Sequence, residues 1–523
     1  MKKTNLLPFF FFFFLILSSF NFLELMGKLM NESFQVESFS RHKILSITDI
    51  PYTHHVEPTL AISANGTIFA GWKDAFSHDG GGVRVSFSKS VDGGFSWTPP
   101  FYMPNFEGLN TGQSDPWMVW DESSETLYYA YLEYSMNYLP NNTILSQITV
   151  ARSLDYGQTW IPVKASDGIG VADKETMTVS SDGTIYVVYD DLNLTDDNYE
   201  VFVRLTRSTD GGVSYDEVNI IADSVNFPDD HIAPYVACDS NNNVYVAWLF
   251  FTDGNWGDVY LVKSSDQGVT FSDFIDINSE SENATANIPY RVTLPVIRFD
   301  QNDRLYVLWA EIYEIGAAWD CYIKYSDDYG QNWSPRYQVN PEGALDQWNP
   351  EMTIDSLGRC HIIYYDMKEE AGEEFFKPYY RMVEFADNLT GLPIFSDPLA
   401  IASSPTSSVF TRPGEYMAIR FDSENVPHVV WSDGRYNEMD IFYARGILQD
   451  SITTTSETSK VSTVSSTTPE TSKVSTVSST NPPSTTSTTT SIMTRSTTTN
   501  YPQIVILCIF FGIMMIIKKK NHR

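Results

Sequence analysis

One pattern recurs seven times along the chain, at intervals of 55 to 67 residues, and it leaves few possible folds. Each copy has a slot that proline usually fills, followed by a tight turn rich in Asn, Asp or Gly and then by an aromatic residue. The slots are Pro58, Pro116, Glu175, Pro234, Pro295, Pro350 and Met417, and the aromatic residues are Trp72, Tyr131, Tyr189, Trp248, Trp309, Tyr364 and Trp431. Short alternating strands on both sides of each turn, repeated at this period, predict the blades of a β-propeller.

A second motif closes the third predicted strand in five of the copies. It reads S-x-D-x-G-x-x-aromatic and occupies residues 90–97, 153–160, 208–215, 264–271 and 326–333. The Asp carboxylate and the Ser hydroxyl can accept backbone N–H bonds within the turn, and glycine permits its left-handed residue. The aspartates of the motif are therefore predicted to be structural rather than catalytic; they are Asp92, Asp155, Asp210, Asp266 and Asp328.

This turn resembles the Asp-box, or bacterial neuraminidase repeat, of the sialidase superfamily, and the resemblance covers most of residues 50–446. It implies an all-β, sialidase-like propeller. Sialidases have six blades, so the seven counted here are a departure, and six blades remain the alternative. The last copy supplies three strands, and residues 42–48 are expected to add the fourth and close the ring. We predict a propeller over residues 36–449.

The two ends of the chain predict export and anchoring. Lys2 and Lys3 precede a largely apolar run, so residues 1–30 are expected to be a signal peptide or an uncleaved signal anchor. Residues 450–500 are rich in Ser and Thr and predict a disordered, glycosylated stalk. Residues 502–520 contain an apolar stretch followed by lysines, which predicts a transmembrane helix, with replacement by a lipid anchor as the alternative. The expected location is the cell surface, with the propeller outside.

Charge and cysteine content narrow the ligand classes. The formal net charge is -32, which argues against nucleic acid because phosphate backbones bind clustered Lys and Arg. Cys238, Cys321 and Cys360 lie in predicted strands without paired spacing and are interpreted as small buried hydrophobes. No cofactor is expected, although Ca²⁺ would suit a cluster of carboxylates.

A ligand site is expected on the face opposite the signature turns, at the mouth of the central channel. Two residues beyond the blade aromatic, six of the seven copies carry an acid: Asp74, Glu133, Asp191, Glu311, Asp366 and Asp433. One interpretation is that each carboxylate caps the loop that it begins. The other is a ring of carboxylates around the channel that binds a cation or a polar ligand.

Sialidase chemistry, as the resemblance implies it, needs three arginines around a substrate carboxylate, a Tyr and Glu nucleophile pair, and an Asp acid/base. The candidate arginines are Arg291, Arg412 and Arg435, and the candidate partners are Tyr290, Tyr416, Glu415, Asp74 and Asp115. The Phe/Tyr-Arg-Ile-Pro motif that opens sialidase domains is absent. Two hypotheses follow: a surface module that binds glycans or a partner protein, and an exo-sialidase or other glycoside hydrolase. The missing motif favours binding and leaves catalysis open.

Overall fold

A computed structural model gives the fold of the chain. The residues that it describes are 35–47, 52–76, 82–106, 111–135, 146–166, 170–194, 199–216, 219–223, 230–252, 255–279, 295–312, 318–341, 343, 345–370, 373–385, 392–407, 416–436 and 438–449. The predicted signal segment, stalk and membrane anchor lie outside these residues. Among the described residues, no helix is long and apolar enough to cross a membrane.

The described strands form seven antiparallel sheets, which we call blades. The chain begins with β1 (Val36–Phe39) and β2 (Lys43–Ile44). Blade 1 is β3 (His54–Ile62), β4 (Ile68–Ala75), β5 (Arg84–Ser90) and β6 (Phe101–Tyr102); blade 2 is β7 (Thr111–Asp121), β8 (Thr126–Ser135), β9 (Ser146–Ser153) and β10 (Ile161–Lys164). Blade 3 is β11 (Val171–Val179), β12 (Ile185–Leu194), β13 (Tyr199–Ser208) and β14 (Asn219–Asp223).

The remaining blades continue the same order. Blade 4 is β15 (Asp230–Cys238), β16 (Val244–Thr252), β17 (Asn255–Ser264) and β18 (Ile275–Asp276); blade 5 is β19 (Val296–Phe299), β20 (Leu305–Glu311), β21 (Asp320–Ser326) and β22 (Tyr337–Gln338). Blade 6 is β23 (Gln347–Ile354), β24 (Cys360–Glu370) and β25 (Glu373–Glu384), with the short strands β26 (Ile394–Phe395), β27 (Leu399–Ala400) and β28 (Thr406–Ser407) along β25. Blade 7 is β29 (Ala418–Phe421), β30 (Pro427–Asp433) and β31 (Asp440–Leu448), joined by β1 and β2.

The first strand of each blade lies at the centre of the ring. Each first strand contacts the first strand of the next blade, and β29 of blade 7 contacts β3 of blade 1. The described sheets therefore form a closed, seven-bladed β-propeller around a central channel. This confirms the predicted all-β fold and the count of seven, and the six-bladed alternative is wrong.

The N-terminal segment closes the ring by completing blade 7. Strand β1 pairs with β31 from Val36, opposite Leu448, to Phe39, opposite Gly446, and β2 pairs with the same strand at Lys43. The sequence placed this strand at residues 42–48, whereas the pairing starts earlier and is divided in two. Closure covers the outer edge of β31, which would otherwise offer unpaired backbone groups to another chain.

The proline slot proves to be a β-bulge inside the first strand. In blades 1 to 4 and 6 the pairing register shifts at the slot, and the residue before it has positive φ: Glu57, Asp115, Lys174, Ala233 and Asn349. Proline suits a bulge because the ladder is interrupted there and its missing N–H is not needed. In these five blades the first strand therefore begins several residues before the slot, at His54 rather than Thr59 in blade 1.

The seven blade aromatics fill the interior between neighbouring sheets. All of them are buried, and Trp72, Trp248, Trp309 and Trp431 are among the largest side chains with almost no exposure. Cys321 and Cys360 are buried as free thiols, and Cys238 is half-buried. The antiparallel order places the signature turns and the first-to-second turns at one end of the channel, the turn end. The second-to-third loops and the links between blades surround the other end, which we call the channel mouth.

Candidate functional site

The bulges direct charged side chains from several blades to the channel mouth. Tyr416 of blade 7 donates its hydroxyl to Oδ1 of Asp115 of blade 2 over 3.2 Å. Lys174 of blade 3 lies 5.9 Å from the centroid of the same ring. Blade 7 adjoins neither blade 2 nor blade 3, so the Tyr416 side chain brings together groups from nonadjacent blades.

Two further groups from blade 1 belong to this cluster. Lys73 pairs with Glu57 at 2.5 Å between Nζ and Oε1, and both side chains are buried. Asp115 also accepts a hydrogen bond from the hydroxyl of Ser114 at 2.5 Å. The positive φ of Glu57 and Asp115 is rare for residues other than glycine, and strained backbone of this kind is common at functional sites.

Glu175 is the most unusual member of the channel mouth. It fills the proline slot of blade 3, its exposure is 2%, and neither carboxyl oxygen has a hydrogen-bond partner on another described residue. Burial, followed by the nearby carboxylate of Asp115, raises the pKa of Glu175 well above its usual range, and Asp173 and Glu57 add to the effect. The side chain is therefore a neutral acid over a wider pH range than an ordinary glutamate, and it has a proton to donate.

A second buried acid lies beside it in blade 3. Asp190 accepts the backbone N–H of Ala233 at 2.8 Å on Oδ2, while Oδ1 has no partner among the described residues. Burial, followed by the charge of Asp173, raises the pKa of Asp190 well above its usual range. Among the described residues, this cluster therefore has five acids against Lys73 and Lys174, and burial raises the pKa of two of the five. The five are Glu57, Asp115, Asp173, Glu175 and Asp190.

The six acids beyond the blade aromatics are bound inside their sheets. Asp74 accepts hydrogen bonds from His55, Trp72 and Ser86, and all of these groups are buried. The others have the following partners: Glu133 with Phe106 N, Gln147 and Thr149; Asp191 with Arg204; Glu311 with Asn278 and Arg336; Asp366 with Gln347 and Lys368; and Asp433 with Trp431, Thr406 and Arg435. Each bond holds the acid to its own blade or to the end of the blade before it.

Of the predicted catalytic residues that the structure describes, Tyr416 and Asp115 meet, whereas Asp74 and Arg435 are each bound within their own blade. Tyr416 is at the channel mouth, but its acidic partner is Asp115, which is 301 residues away in the chain. Arg435 is ion-paired with Asp433 of its own blade and lies over the ring of Phe442 at 4.9 Å. Tyr290, Arg291, Arg412 and Glu415 lie outside the described residues.

The signature turns have the hydrogen bonds that the motif predicts. In the first copy Asp92 accepts the amide of Ser96 at 2.8 Å and its hydroxyl at 2.5 Å, and the Ser90 hydroxyl accepts the amide of Gly94 at 2.9 Å. The hydroxyl and amide of Ser96 lower the pKa of Asp92 to about 2. The other four copies repeat the two bonds donated by backbone amides. These aspartates lie at the turn end, away from the channel mouth.

Glu57, Lys73, Asp173, Lys174, Glu175 and Asp190 were not among the predicted site residues. One signal for Glu175 was present, since an acid occupies a slot in which five of seven copies have proline. The others gave no such signal, because their meeting depends on which blades face one another. Among the described residues, no group of three or more His, Cys, Asp and Glu side chains is arranged to hold a metal ion.

The seven blades define a seven-bladed β-propeller, in which the signature turns end five of the third strands. Among solved structures, the chain is similar to a protein of unknown function from Dyadobacter fermentans, with TM-score 0.46 and 15% identity over 65% of this chain and 98% of that one. It is also similar to the intramolecular trans-sialidase from Ruminococcus gnavus, with TM-score 0.42 and 12% identity over 75% and 94% of the two chains. The Trypanosoma rangeli sialidase gives TM-score 0.44 and 12% identity over 79% and 58%. No family model and no curated protein matches the sequence.

Proposed function

We propose that the protein binds extracellular glycans at the channel mouth and hydrolyses a glycosidic bond there. The observation that carries this proposal is the Glu175 side chain, a buried acid without a partner on another described residue, beside the bond between Tyr416 and Asp115. A neutral acid next to an ionisable nucleophile pair is the combination that glycoside hydrolysis requires. The stalk, the membrane anchor and the surface location belong to the same proposal.

Each of the three residues has a role in the proposed reaction. Tyr416 attacks the anomeric carbon through its phenol oxygen, and its proton passes to the carboxylate of Asp115, which accepts the hydroxyl at 3.2 Å. Glu175 gives its proton to the glycosidic oxygen as the bond to the leaving group breaks. Water then releases the sugar from Tyr416, with a proton returning to Glu175 and the phenol proton returning from Asp115. The sum of the two steps is hydrolysis.

Turnover by the purified full-length protein tests this proposal on fluorogenic sialosides and on a panel of neutral glycosides. We expect Glu175→Gln to lower kcat by about 10²- to 10⁴-fold, as the loss of a general acid does. The loss should be much smaller for dinitrophenyl glycosides, whose leaving group departs without protonation. Activity should fall as the pH rises through the pKa of Glu175, because only the protonated form donates.

Glu133→Gln is the matched control, since Glu133 is also a buried acid at the loop end of a blade but has hydrogen-bond partners from its own sheet. It should retain turnover as long as the melting temperature shows a folded protein. The role of Glu175 would be contradicted if the two variants lost equal turnover. It would also be contradicted if the loss of kcat in Glu175→Gln were the same for dinitrophenyl glycosides as for the other substrates.

The alternative is a propeller that binds glycans without cleaving them. It is favoured by Arg435, a candidate for holding a substrate carboxylate, which is instead ion-paired with Asp433. Saturable binding of a glycan to wild-type protein that releases no product over the whole panel would establish this alternative.

A further inference from the structure

The turn end of the channel contains a cavity that is separate from the cluster at the channel mouth. Its volume is about 330 Å³, within the range of a small-molecule site. Apolar residues from the first strands of blades 1 to 4 form one part of its wall, with Leu60, Trp117, Met177 and Val236 among them, and the exposed surface of the cavity is polar and apolar in about equal parts. Two arginines, Arg298 and Arg420, complete the wall.

The two arginines share a single acid. Arg298 of blade 5 donates to Oε1 of Glu351 at 2.7 Å, and Arg420 of blade 7 lies 3.5 Å from the same oxygen. Glu351 stands between them in blade 6 and is buried. One carboxylate therefore faces two guanidinium groups, and one positive charge remains in a chain whose net charge is -32.

The hydrogen bonds of the two guanidinium groups differ. Arg298 bonds the carbonyl of Ile297 at 3.1 Å and lies over the ring of Tyr235 at 4.8 Å, so this side chain is held in place. Arg420 bonds the carbonyl of Ile419 at 2.7 Å through Nη1, the atom that also approaches Glu351. A guanidinium has five N–H donors, and those on Nε and Nη2 of Arg420 have no partner among the described residues.

A repulsive contact accompanies this arrangement. Burial, followed by the positive charge of Arg298, lowers the pKa of Arg420. An added anion would offset that repulsion and accept the N–H groups of Arg420 in a bidentate bond. A bare inorganic anion would leave the apolar wall in contact with water, whereas a ligand with a hydrocarbon part would cover it.

We propose that the turn end of the channel is a binding site for a small organic carboxylate. Arg420, supported by Arg298, holds the carboxylate, and the apolar wall of blades 1 to 4 covers the hydrocarbon part. The site lies on the side of the propeller away from the proposed glycan site and does not depend on it.

Hexanoate is a suitable probe, with hexanol as the uncharged analogue and inorganic phosphate as the anion without an apolar part. Trp117 and Trp120 line the cavity, so tryptophan fluorescence of the full-length protein reports occupation, and calorimetry gives the affinity. We expect saturable hexanoate binding, and weakening of about tenfold or more when Arg420→Gln removes the charge-assisted bonds. Hexanol and phosphate should each bind at least about tenfold more weakly.

Arg304→Gln is the matched control, because Arg304, like Arg420, is paired with an acid but does not line the cavity. It should leave hexanoate binding unchanged. If Arg420→Gln does not fold, Ala237→Leu fills the cavity from blade 4 without changing its charge, and it should abolish binding. The proposal is overturned if wild-type protein does not bind hexanoate or if phosphate binds as well as hexanoate. It is also overturned if Arg420→Gln, or Ala237→Leu in its place, folds and binds hexanoate as tightly as Arg304→Gln does.

Discussion

Replacing Glu175 by proline should make the protein more stable and inactive. The bulges of blades 1, 2, 4 and 6 have a residue of positive φ followed by proline, as in Asp115 with φ 50° before Pro116. Lys174 has φ 52°, so the backbone before Glu175 has the same geometry. Proline should therefore fit blade 3 without rearrangement, and the substitution removes only the acid.

The size of the effect follows from the surroundings of Glu175. A buried polar group without a partner costs about 1 to 3 kcal/mol, and the neutral Glu175 carboxyl is such a group. A proline that fits the native backbone adds about 0.4 to 1 kcal/mol by restricting the unfolded chain. The proline ring replaces the buried methylene groups of the glutamate. The free energy of unfolding should therefore increase by about 1.5 to 4 kcal/mol.

Urea unfolding of the full-length protein at a series of pH values measures this difference. Burial, followed by Asp115, raises the pKa of Glu175 in the folded protein above its ordinary value of 4.5. Below that value the side chain is protonated in both the folded and the unfolded state, and the stability of wild-type protein is closest to that of Glu175→Pro. As the pH rises towards the folded-state pKa, the unfolded chain ionises first and wild-type protein loses stability. The advantage of Glu175→Pro should therefore grow as the pH rises above 4.5.

The reverse change supplies the control. Pro116→Glu places an acid in the slot of blade 2 and should lower the urea midpoint. A Glu175→Pro variant that is folded yet less stable than wild-type protein would refute the reasoning. A stability difference that does not change with pH would refute the assignment of the effect to the carboxyl group.

Three other substitutions test separate parts of the structure. Tyr416→Phe should lower kcat by at least about 10²-fold, and an unchanged kcat would exclude Tyr416 as the nucleophile. The lost hydrogen bond to Asp115 should lower the free energy of unfolding by only about 0.5 to 1.5 kcal/mol. Ser90→Ala leaves the buried amide of Gly94 unpaired and should cost about 1 to 3 kcal/mol without affecting turnover. The hydroxyl and amide of Ser96 lower the pKa of Asp92 to about 2, so the turn should lose stability as the pH falls from 3.8 to about 2. In Asp92→Asn the stability should change less with pH over this range in acid titrations. Deletion of residues 36–39 should lower the urea midpoint and promote self-association on size-exclusion chromatography, because it exposes the edge of β31; an unchanged elution volume and midpoint would contradict the closure.

The propeller was predictable because its signals are local. The interval between Pro58 and Trp72 contains a strand segment, a turn and a second strand, and it recurs with the same length in every blade except blade 2, where it is one residue longer. The hydrogen bonds of the first signature turn all lie within residues 90–96, so the turn could be predicted from its local sequence. The start of the first strands could not, because proline normally marks the edge of a strand and here it marks a bulge.

The candidate site was only partly predictable, because its members come from blades that are distant in the chain. Tyr416 was selected as a candidate, but Asp115 became its partner only when the ring closed. Asp191 was selected from the repeat, whereas the acid with an unpartnered oxygen at the channel mouth is its neighbour Asp190. Successive residues of a strand point to opposite faces, so one step along β12 decides whether an acid pairs with Arg204 or faces Ala233 of blade 4.

The sequence by itself determined the repeat unit of a blade, its aromatic residue and the turns that end five of the third strands, since each depends on residues close together in the chain. The tertiary structure alone decided that seven blades close the ring, where the strand that completes blade 7 begins, and which charged groups meet at each end of the channel. Those features depend on contacts between blades. Residues at equivalent positions of the repeat have different neighbours once the ring closes, and the repeat alone does not specify those neighbours. Glu175, Asp115 and Tyr416 are neighbours because the propeller closes, and Arg298, Glu351 and Arg420 meet at the other end for the same reason.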